Sequence, residues 1–194
     1  MNALTELVTQ QLAGSCMSQI SNKLGADPGT TGKAIGLAVP LLVSALARNS
    51  STPEGAQALD QAIAKDHDGS ILDNVQGFLH SCESAGGAGI LSHILGDNRS
   101  DVENSLAQRT GLDADAAGQL LETVAPLVMG AVSKTQQQQG LDAHGLATYL
   151  DGQHQQAQNT APDVIGMLGS MLDSNKDGSV VDDIRRLAAR FFGR

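Results

Sequence analysis

Apolar residues recur along this chain at three- and four-residue intervals, and no stretch alternates apolar with polar residues at period two. The pattern predicts helices and no strands. They fall near 2–13, 15–24, 28–48, 53–65 and 70–80, then near 88–96, 100–110, 114–137, 142–156 and 163–172, with a last helix near 180–192. Residues 34–47 form the most apolar stretch; it is shorter than the roughly 20 residues of a membrane span and holds Gly36 and Pro40, so a buried helix is expected.

The pattern also repeats. Ile20, Gly25, Asp27, Gly32, Pro40, Leu41 and Ala45 return as Leu106, Gly111, Asp113, Gly118, Pro126, Leu127 and Ala131 at one ungapped offset, 86 residues, as from Gly25 to Gly111. Gly25 and Gly111 suit the left-handed position just past a helix end. Asp27 and Asp113 suit the N-cap of the next helix, and Pro28 the first helical position after it. Each copy therefore reads as a tight helix-turn-helix. Pro40 and Pro126 lie inside apolar helical runs, where a proline removes a backbone hydrogen bond and is expected to bend or break the helix. Gly86-Gly87-Ala88-Gly89 is the expected linker between copies, and Gln136 to Gln139 the solvated end of a helix. This organisation divides the chain into helical repeat one at 1–85, helical repeat two at 86–172, and a terminal loop and helix at 173–194.

Composition narrows the function classes. With 41% hydrophobic but only 2% aromatic residues, the core must be filled by Leu, Ala, Val and Ile, and few rings remain for base stacking. The net charge of −9 opposes binding to phosphate backbones, which draws on Lys and Arg. A major-groove reader is also disfavoured because the second helices, Ile35 to Leu46 and Val124 to Val132, are apolar on too many sides to lie in a wet groove. Cys16 and Cys82 are expected as reduced thiols. The start, Met1-Asn2-Ala3-Leu4-Thr5-Glu6, lacks the basic and apolar regions of a secretory signal, and the expected location is the cytoplasm.

Three separated segments carry a likeness to a known group. Gly89-Ile90-Leu91-Ser92-His93-Ile94-Leu95-Gly96, Ala125-Pro126-Leu127-Val128-Met129 and Asp177-Gly178-Ser179-Val180-Val181-Asp182-Asp183 resemble the bacterial YidB-like family, domain of unknown function 937, over roughly Met1 to Ala188. The resemblance implies an all-α fold of homeodomain-like three-helix units. Joined to the repeat, it gives the expected fold: a duplicated helical unit, two such bundles packed together. The family has no assigned activity, so no catalytic residue is carried over.

One constellation has its own chemistry. Asp173-Ser174-Asn175-Lys176-Asp177-Gly178-Ser179 resembles the first half of an EF-hand-type calcium loop, with oxygen ligands at alternating positions and a glycine at the turn. Asp173, Asn175 and Asp177 would supply side-chain oxygens, and Ser179 its carbonyl. The twelfth position is Ile184 where an acid is usual, so Asp182 or Asp183 would have to close the site. The competing reading is a capping box of Ser179 and Asp182 without metal. The same grammar at Asp68-Gly69-Ser70-Ile71-Leu72-Asp73-Asn74 has Ala64 in place of Asp173 and keeps only Asp66 and Asp68 as loop acids, so weak calcium binding at best is expected there. Isothermal titration checks the later loop: calcium should give heat with the native chain and none with Asp177→Ala.

His80, Cys82 and His93 match no closed zinc spacing. Arg185, Arg186, Arg190 and Arg194 gather beside Leu187, Phe191 and Phe192. They suit the negative end of a helix dipole, with the phenylalanines packed inward; docking on an acidic partner or membrane is the alternative. The expected function is a non-enzymatic helical scaffold or protein-interaction module, binding a protein partner or itself. The alternatives are a small hydrolase or other enzyme whose site assembles only in the fold, and a DNA-binding helix-turn-helix protein.

Overall fold

The structure, a computed structural model, describes residues 3–81 and 86–160 together with position 166. Among the described residues all regular structure is helical. In chain order the elements are α1 (Ala3–Gln11), α2 (Ser15–Leu24), α3 (Pro28–Asn49), α4 (Pro53–Asp66), a 3-10 turn (Ser70–Asp73), α5 (Val75–Ser81), α6 (Gly87–Leu95), a 3-10 turn (Gly96–Asn98), α7 (Arg99–Thr110), α8 (Ala114–Gln139) and α9 (Ala143–Thr160).

The two predicted turns are built alike. Gly25 closes α2 at φ 64° and Gly111 closes α7 at φ 86°, both left-handed, a conformation that costs glycine nothing. Asp27 Oδ1 then accepts the N–H groups of Gly29 and Thr30 at 2.8 and 3.0 Å, and Asp113 Oδ1 accepts that of Ala116 at 2.7 Å. Pro28 occupies the first position of α3, as expected.

Of the bend or break expected at Pro40 and Pro126, the break does not occur: α3 runs 22 residues and α8 runs 26. Packing on nearly every side holds these helices continuous across the missing hydrogen bond. The carbonyl that Pro126 leaves without a donor is that of Glu122, and the start of α6 comes down on it so closely that a Cβ on Gly87 would overlap the oxygen. This approach also removes the expected linker, since Gly87, Ala88 and Gly89 belong to α6 and only Gly86 stays in the turn.

The helix expected over 70–80 is split. Asp68 Oδ1 accepts from Ser70 N–H at 2.9 Å and Asn74 Oδ1 accepts from Gly77 N–H at 2.9 Å, so two side chains draw the backbone out of a continuous helix. The Ser70–Asp73 box therefore does not form in this copy of the grammar. The glutamine run closes α8 with Gln137, Gln138 and Gln139 exposed, as expected of a solvated end, and it also makes ties. Gln136 Nε2 donates to Asp60 Oδ1 at 2.5 Å, and Gln137 Nε2 donates to the Asp68 carbonyl at 3.0 Å, tying α8 to α4 and to the loop after it.

The long helices α3 and α8 lie against each other at the centre, and α1, α2, α6 and α7 each pack on both. The helices that follow the two central ones cross over: α4 follows α3 but rests on α8 and α9, whereas α9 follows α8 but rests on α3 and α4. One continuous apolar core results, running from Leu4 through Leu42 and Leu127 to Leu150. By length and composition alone α3 and α8 could cross a membrane; here most of each is buried inside the fold, as the core helices of a packed bundle are. Polar ties reinforce the junction. Arg99 reaches Glu103 and Glu122 at 2.6 Å each, and Asn49 Nδ2 donates to the Ile94 carbonyl at 3.0 Å.

Candidate functional site

One concavity follows from the crossover. Because α9 lies along α3 and α4 and not along α8, a groove of about 500 Å³ opens between the α3–α4 turn and the first half of α9. That volume falls within the ~300–1,000 Å³ typical of ligand pockets. The turn is tight because residue 55 is glycine: a Cβ there would overlap the Asn49 carbonyl oxygen. On α9, His144, Ala147, Thr148 and Asp151 stand three and four residues apart, which places them on one face towards the groove. Ala47, Pro53, Ala56, Ala143 and Ala147 make its lining mostly apolar.

The polar groups of the groove are largely committed. Ser50 Oγ donates to the Leu46 carbonyl at 2.9 Å, Ser51 Oγ to that of Arg48 at 2.7 Å, and Thr148 Oγ1 to that of His144 at 3.0 Å. Thr52 Oγ1 caps α4 by accepting from Gly55 N–H at 3.1 Å. Asp151 Oδ2 accepts from Gln155 at 2.8 Å. The hydroxyl protons of Ser50, Ser51 and Thr148 go to backbone carbonyls, not to a base, so this wall offers shape and apolar surface more than an activated nucleophile.

Residues 6–136 match the family described as bacterial protein of unknown function (DUF937), more than half of the chain. The chain belongs to the DUF937 family. No curated protein and no solved structure matches it. The DUF937 segment ends inside α8, so it supplies the α3–α4 wall of the groove, while α9 lies beyond it.

The sequence-derived metal residues Asp173, Asn175, Asp177, Ser179, Asp182 and Asp183 lie outside the described residues, as does Cys82. The earlier loop is described. Asp68 is held by Ser70, whose hydrogen bonds keep its carboxyl below the usual range, and Asp73 pairs with Lys134 at 2.6 Å. Among the described residues no three His, Cys, Asp or Glu side chains stand together as a metal group. His80 meets Gln19 at 3.1 Å, and His93 Nδ1 meets the Gly89 carbonyl at 3.1 Å, so the two imidazoles serve different contacts. Cys16 is buried as a free thiol.

Sequence reasoning missed His154. It lies half-buried on α9 with Nδ1 enclosed and without a hydrogen-bond partner. Burial first, and the charge of Arg48 second, hold its pKa below the ordinary 6.5. The sign follows from proton counting: the unfolded chain takes up a proton on this ring more readily than the fold does, so stability falls as pH drops below about 6.5. His67, also lowered by burial, acts in the same direction. His154→Gln should flatten the stability slope between about pH 7 and pH 5, measured by denaturant midpoints at each pH; an unchanged slope would refute the assignment.

Proposed function

We propose that the chain is a non-enzymatic helical interaction module that holds an apolar segment of a protein partner in the groove between the α3–α4 turn and α9. The observation that carries this reading is a mostly apolar groove in which the hydroxyls of Ser50, Ser51 and Thr148 are already spent on backbone carbonyls and that of Thr52 caps α4. Such a site can bury a partner's side chains but has little with which to drive a reaction.

The shifted ionisable groups support the same view. Asp27 sits at a cap, Asp68 accepts from Ser70, Arg99 sits between two glutamates, and the histidine shifts follow from burial; each has a local structural cause. The burial of α3 and α8, the helices that would have to enter a DNA groove, supports setting nucleic acid aside. The matched turns and the reciprocal crossing of α4 and α9 favour a duplicated, homeodomain-like helical unit whose halves have exchanged the helices that follow α3 and α8. The calcium reading of Asp173 to Asp183 stands on its sequence pattern and on the titration named above.

Ala147 lies in the groove wall and is only partly buried, so Ala147→Arg should fill the groove with the bundle intact. Affinity capture from host cells with native chain and variant, read by quantitative mass spectrometry, tests the reading. A partner retained by the native chain should fall at least tenfold with the variant. Identical capture profiles would remove the groove from the function.

A further inference from the structure

The groove leaves open what covers it, and the chain carries a candidate. Resting on the reading of the groove as a docking surface, we propose that its resident occupant is the chain's own C-terminal segment, residues 180–192, which a protein partner must displace.

Three observations point to this occupant. The first is pattern. Val180, Val181, Ile184, Leu187, Ala188 and Phe191 fall at helical spacing on one face, and this short stretch holds two of the chain's three phenylalanines. The described surface is otherwise polar, with its large apolar side chains buried or half-buried in one core, and the mostly apolar groove is where that face could be buried.

Charge is the second. Residues 161–194 hold five acids and five bases, so residues 1–160 carry the whole net charge of −9. Residues 180–194 carry Asp182 and Asp183 at their start and Arg185, Arg186, Arg190 and Arg194 after them, so the segment is net positive and its cations lie towards its C-terminal side. The groove lining includes the exposed carboxylate of Asp151, and the exposed acids Glu54 and Asp142 stand next in sequence to the lining residues Pro53 and Ala143, a balance that favours such cations. Arg48 adjoins the lining, but its charge is felt at His154.

Reach is the third. From Thr148 to the end of α9 at Thr160 is about 18 Å along the helix. The nineteen residues 161–179 can span up to about 60 Å, enough to return to the groove with length to spare. A tether of that length holds the segment near its site at an effective concentration on the order of millimolar. A partner's segment is therefore excluded unless it binds tightly enough to win that competition.

The test uses full-length chains and a fluorescent peptide of residues 180–194 as the probe, followed by anisotropy. Phe191→Ser with Phe192→Ser should release the resident segment, so the peptide should bind this variant at least tenfold more tightly than it binds the native chain. Adding Ala147→Arg should abolish the gain. If circular dichroism shows that Ala147→Arg unfolds the bundle, Thr148→Arg on the exposed rim takes its place. Equal binding to native and double-serine chains, no binding to either, or a gain that survives the groove substitution would each overturn the proposal. Any of these results leaves the docking surface itself to the capture experiment, where native and Ala147→Arg chains would still differ. Concentration-dependent oligomers that vanish in the double-serine chain would also overturn it, because the segment would then occupy the groove of a second copy.

Discussion

Leu127→Ala should lower the unfolding free energy by about 3–5 kcal/mol, the cost of a large cavity in a core that cannot collapse around it. Leu127 is fully buried near the middle of α8, next to Pro126, in a helix packed against α1, α3, α6 and α7. For a chain of this length the loss corresponds to a melting point lower by roughly 10 °C. Leu41→Ala, its counterpart in α3, should cost a similar amount, since that side chain is equally enclosed. The shape of the transition matters as much as its midpoint. Because α4 and α9 cross over and one core runs through both halves, each variant should still unfold in a single step by calorimetry. Two transitions, with only the one containing the mutated helix displaced, would mean that the halves are independent.

The local grammar of this fold was largely readable in advance. Glycine at a left-handed helix end and aspartate two residues later are decided by a few neighbouring atoms, and Gly25, Asp27, Gly111 and Asp113 do what their chemistry dictates. The apolar runs of α3 and α8 likewise announced buried helices. What could not be read depends on residues far apart. Proline in a helix is ordinarily disruptive, and nothing local says that α6 will cover the carbonyl left free by Pro126. The glutamines at 136 and 137 look solvated until α4 and the Asp68 loop are brought to them. Arg99 and Glu103 stand at i, i+4 spacing, a pair the sequence reading did not single out, and Glu122 joins them only through packing. The groove belongs wholly to this second class. Its walls come from Ala47–Gln57 and Ala143–Asp151, segments that no sequence pattern pairs, and alanines on a helix face carry no sign of what they will line.

Glycine substitutions should separate these two kinds of information with opposite signs. Gly36→Ala should stabilise the chain by about 0.5–1 kcal/mol, because the residue is exposed in the interior of α3, a Cβ there meets nothing, and alanine loses less backbone entropy on folding. Gly87→Ala should do the reverse. The same added carbon would overlap the carbonyl oxygen, the carbonyl carbon and the Cα of Glu122, all backbone atoms of the buried central helix. A flexible side chain could turn aside; a core helix cannot. The start of α6 must therefore lift from α8, at a cost of about 2–3 kcal/mol by comparison with overpacked cores, and the Glu122 carbonyl loses its cover where Pro126 already denies it a donor. Urea denaturation of the two variants beside the native chain reads the result directly: one midpoint should rise and the other fall. If Gly87→Ala instead behaved like Gly36→Ala, α6 would not be seated on α8, and the account of why Pro126 is tolerated in an unbroken helix would fail with it.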